Sequence, residues 1–96
     1  MARGPLVKLD DLQRWLAEDP DRQAADVLPP GSFARAKYEQ GPAFVLRPHR
    51  PEDADPEELR QWALTPEEWA EQMAVALVAL RHDMKLHTLT EGFGRV

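Results

Sequence analysis

The sequence predicts a mostly α-helical domain, with a small α+β variant allowed, and three observations carry that prediction. Apolar residues recur at helical spacing from Thr65 to Leu86, two proline-marked helix starts follow one another closely, and the stretch between residues 34 and 47 is the least helical part of the chain. Helices are expected over about 10–18, 56–63 and 66–86, with a short β-hairpin over about 34–47 as the optional element.

The 66–86 helix is the best specified. Thr65, Pro66, Glu67 and Glu68 supply a side-chain cap, a proline at the first helical position and a glutamate three residues after the cap. Asp55, Pro56, Glu57 and Glu58 repeat the pattern, with the glutamates at the positive end of the helix dipole. One continuous helix through Pro66 is the competing reading. A proline there removes a donor and crowds the preceding turn, which favours a bend at Leu64 and Thr65.

At about 100° per residue, Trp69, Met73, Ala76, Leu77, Leu80 and Met84 share one stripe of this helix, while Val75, Val78 and Leu86 fall on another. His82 lies near the second stripe and His87 near the first. A helix in a lone small domain usually keeps its far side wet, so the second stripe must meet another element of the chain or a second molecule. The second molecule is the favoured reading, which makes Val75, Val78, His82 and Leu86 the expected interface of a homodimer.

Elsewhere, Met1 to Val7 read as a loose or strand-like entry, and Asp10 is placed as the cap of a helix whose apolar edge is Leu9, Leu12, Trp15 and Leu16. Asp19-Pro20 ends it. A short helical turn fits Asp21 to Val27, and Pro29, Pro30 and Gly31 break the chain. Phe33 to Gln40 and Ala43 to Arg47 read as two strands around Gly41-Pro42, because Ala34, Ala36 and Tyr38 alternate with Arg35, Lys37 and Glu39. Ser32 fits equally as the cap of a short helix. Pro48 to Pro51 form an extended connector, and Gly92 and Gly94 suit helix termination. The chain is read as a single domain over 1–96, with 1–7 and 91–96 as flexible tails.

Ninety-six residues suffice for one modest core. A net charge of −5 argues against general affinity for nucleic acid, and the 66–86 run is too short and too bordered by charge to span a membrane. The absence of cysteine excludes disulfides, thiol catalysis and cysteine-ligated metals, and suits a reducing compartment; with no secretory signal at the start, a cytoplasmic location is expected.

Charge is unevenly placed. Arg35, Lys37, Arg47 and Arg50 form a basic patch within 33–51, whereas Glu57, Glu58, Glu67, Glu68 and Glu71 form an acidic face within 52–71. Two solvated faces that attract one another explain this most simply. A sharper explanation has the basic segment on phosphate, with Phe33, Tyr38 and Phe44 stacking on single-stranded bases.

Catalytic constellations are thin. Ser32, Thr65, Thr88 and Thr90 lie in no nucleophile motif, the carboxylates crowd helix starts, and glycines show no phosphate-cradling pattern. Asp83 and His87 stand four apart, which is ligand-compatible, but two groups make no metal site. No enzyme activity, cofactor or metal is therefore expected.

The leading expectation is a non-catalytic protein–protein interaction module, self-associating, that acts as adaptor, regulator or accessory subunit. An acidic inhibitor that mimics nucleic acid in a basic groove comes next. Nucleic-acid binding through the 33–51 segment comes third.

Overall fold

A computed structural model describes residues 4–40 and 49–94, with side chains as far as Met84. Four α-helices and two single 3₁₀ turns occur among the described residues: α1 (Leu9–Glu18), a turn at Ala24–Asp26, α2 (Phe33–Gln40), a turn at Pro51–Asp53, α3 (Pro56–Trp62) and α4 (Pro66–Gly94). The mostly α fold read from the sequence is the fold of the chain.

Helix α4 is central because it is the longest element and is apolar around most of its circumference. Its start is a reciprocal capping box, in which Glu68 N donates to Thr65 Oγ1 at 3.1 Å and Thr65 N donates to Glu68 Oε1 at 2.9 Å. The helix then runs to Gly94, eight residues past the expected end at 86, so residues 91–94 are helical rather than part of a tail. A single glycine such as Gly92 weakens a helix without ending it.

Helix α3 starts as expected, with Asp55 Oδ1 accepting from Glu57 N at 3.0 Å. It stops at Ala63, whose left-handed backbone (φ 53°, ψ 48°) lets Leu64 N reach back to Leu59 O at 2.9 Å. The bend at Leu64 and Thr65 is therefore real, and Pro66 opens a separate helix.

Two local expectations need correction. Residues 33–40, read as the first arm of a hairpin, form α2. Ser32 Oγ accepts from Arg35 N at 3.1 Å while donating to Pro29 O at 2.8 Å, which fixes a helix start directly after the Pro-Pro-Gly break. Alternation gave way to helical spacing, since Phe33, Ala34 and Lys37 are the buried positions. The second arm, 43–47, lies outside the described residues. The other correction concerns α1, where the cap position belongs to Lys8 and not Asp10. Lys8 supplies no side-chain cap, and the free N–H of Leu9 donates instead to Glu71 Oε2 at 3.1 Å.

The core consists of two clusters on adjoining sides of α4. One joins Val75 and Ala79 to Leu12 and Leu16 of α1, Ala24, Leu28 and Ala34. The other joins Trp69, Met73 and Ala76 to Phe33 and Leu64, with Leu59 and Trp62 of α3 packed against it. Both apolar stripes of α4 are thus covered by the same chain as far as Asp83.

Candidate functional site

Asp83, on α4, is a polar side chain with two ties to other elements. Its Oδ1 accepts from Ala24 N at 2.9 Å and its Oδ2 accepts from the Tyr38 hydroxyl, so one carboxylate ties α4 to both the first 3₁₀ turn and α2. Burial, followed by the hydrogen bond and the negative charge of Asp83, pushes the Tyr38 phenol up to about 12, with Arg35 opposing in part. Next along the helix, His82 Nε2 stands 2.7 Å from Arg22 O and fastens the loop after α1.

A second cluster holds α3 in place. Lys37 is buried and pairs with Glu58, and Glu58 Oε1 also accepts from Trp69 Nε1 at 3.1 Å. The Lys37 ammonium sits 5.5 Å from the centre of the Phe33 ring, and Phe33 meets Trp62 edge-on at 5.5 Å. These contacts make the cluster a brace between α2, α3 and α4.

A cleft of about 180 Å³ is lined by Trp15, Arg22 and Val27. It falls short of the roughly 300–1,000 Å³ usual for small-molecule sites, and its cation already lies 3.5 Å from Asp19. Met84 is different. At 45 % exposure it is the large hydrophobic side chain left in solvent among the described residues, one turn past Leu80 on the first stripe.

The expected interface is not a free surface. Val75 is fully buried between α4 and α1, Val78 packs against the same cluster, and His82 is bonded to the loop backbone. Helix α1 and the 3₁₀ turn at Ala24 cover Val75 and Val78 of the stripe assigned to a second molecule. The side chain of Leu86 lies outside the description.

The basic patch does not assemble either. Lys37 points inward to Glu58, and Arg35 donates through Nη1 to Ala25 O at 3.0 Å and Leu28 O at 2.9 Å. Arg50 is exposed beside Glu52 and Asp53, while Arg47 lies outside the described residues. Of the stacking candidates, Phe33 is core and Tyr38 is tied to Asp83. The acidic face is thinned in the same way, because Glu58, Glu68 and Glu71 accept internal hydrogen bonds and Glu57 lies 3.3 Å from Arg60. Glu67 remains exposed.

Sequence reasoning missed Gln72 and Asp83 as structural polar groups, although a signal was present. At about 100° per residue both fall in the sector between the two apolar stripes, where a polar side chain must find a partner. Among the described residues no group of three or more His, Asp or Glu side chains is placed to hold a metal ion, and no helix is long and apolar enough to cross a membrane. No protein-family model matches the chain, and no curated protein and no solved structure is significantly similar to it.

Proposed function

We propose that the chain is a non-catalytic protein–protein interaction module that self-associates, serving as adaptor, regulator or accessory subunit, and that its contact surface includes Met84 on α4. One observation carries the reading. Both apolar stripes of α4 are covered as far as His82 and Asp83, and the next residue exposes a large hydrophobic side chain. The helix nevertheless continues to Gly94, as a segment offered to a partner would. The polar groups described above have structural duties, which suits a binding role over catalysis. The cytoplasm is the proposed setting, in keeping with a cysteine-free chain.

Light scattering on the full chain tests this. Self-association should raise the mean mass at high micromolar concentration, and Met84→Glu should lower it while leaving the helical circular-dichroism signal unchanged. A wild-type monomer at several hundred micromolar removes self-association. An oligomer indifferent to Met84→Glu removes this surface.

A further inference from the structure

We draw no further inference here: the strongest candidate, the cleft between α1 and the first 3₁₀ turn lined by Trp15, Arg22 and Val27, is a small hollow whose one cation already faces Asp19, and nothing in the structure shows what covers it.

Discussion

Replacing Val75 with alanine distinguishes a core position from an interface more sharply than any other single change. The side chain has no solvent exposure and is packed with Leu12, Leu16 and Ala79. Removing two methyl groups forfeits about 1.6 kcal/mol of transfer free energy at roughly 0.8 kcal/mol per carbon. The cavity left behind adds up to about 1 kcal/mol where the walls cannot collapse. A loss of about 2–2.5 kcal/mol is therefore expected for Val75→Ala. Urea unfolding measures it: the midpoint should fall by roughly 1.5–2 M with the slope unchanged, taking a slope of about 1.2 kcal/mol per M for a small domain. The shift should be the same at low and high protein concentration. A loss below about 0.5 kcal/mol, or a midpoint that depends on concentration only in the unmutated chain, would place Val75 against a second molecule and refute the assignment.

Other expectations follow from the polar ties and the backbone. Tyr38 is the one tyrosine in the chain, so its ultraviolet titration is unambiguous; the midpoint should be near 12 and should move down toward the ordinary value of 10 in Asp83→Asn. Because the folded-state value is raised, the folded form keeps its proton while the unfolded form loses it, so this contribution to stability is intact below about pH 10 and is lost as pH climbs toward 12. Ala63→Gly should stabilise the protein by about 0.5–1 kcal/mol in thermal melts, since glycine accepts the left-handed conformation at φ 53° that costs alanine energy. Lys37→Met should cost about 2 kcal/mol by leaving the Glu58 carboxylate without its buried cation, whereas Arg50→Glu, on an exposed side chain, should stay within about 0.5 kcal/mol.

Local punctuation was legible wherever one residue type has one physical use. The Thr65–Glu68 capping box, the Asp55 cap and the two prolines at first helical positions are all present, because a cap satisfies the same free N–H groups in any fold. Both stripes of α4 were also legible as apolar faces. What covers them was not, because periodicity shows that a side is buried and is silent on which molecule buries it. Helix α1, whose own edge was read correctly, turned out to be the cover for Val75 and Val78. Residues 33–40 were ambiguous for a similar reason: Ala, Arg and Lys at alternate places fit a strand, and the bond from Arg35 N to Ser32 Oγ that decides for a helix is a local contact that composition alone does not weigh. Charge clusters misled most. Arg35, Lys37 and Glu58 read as surface by composition, yet each caps or braces an interior contact, a long-range pairing that sequence distance conceals.

The central claim is that one chain covers α4 on both stripes through Asp83. Amide hydrogen exchange resolved along the helix tests it most directly. If the claim holds, the amides from Met73 to Ala79 exchange only through global unfolding, and their protection is the same at one micromolar and at several hundred micromolar. Protection that disappears on dilution would mean that a second molecule covers the helix, and would contradict the account.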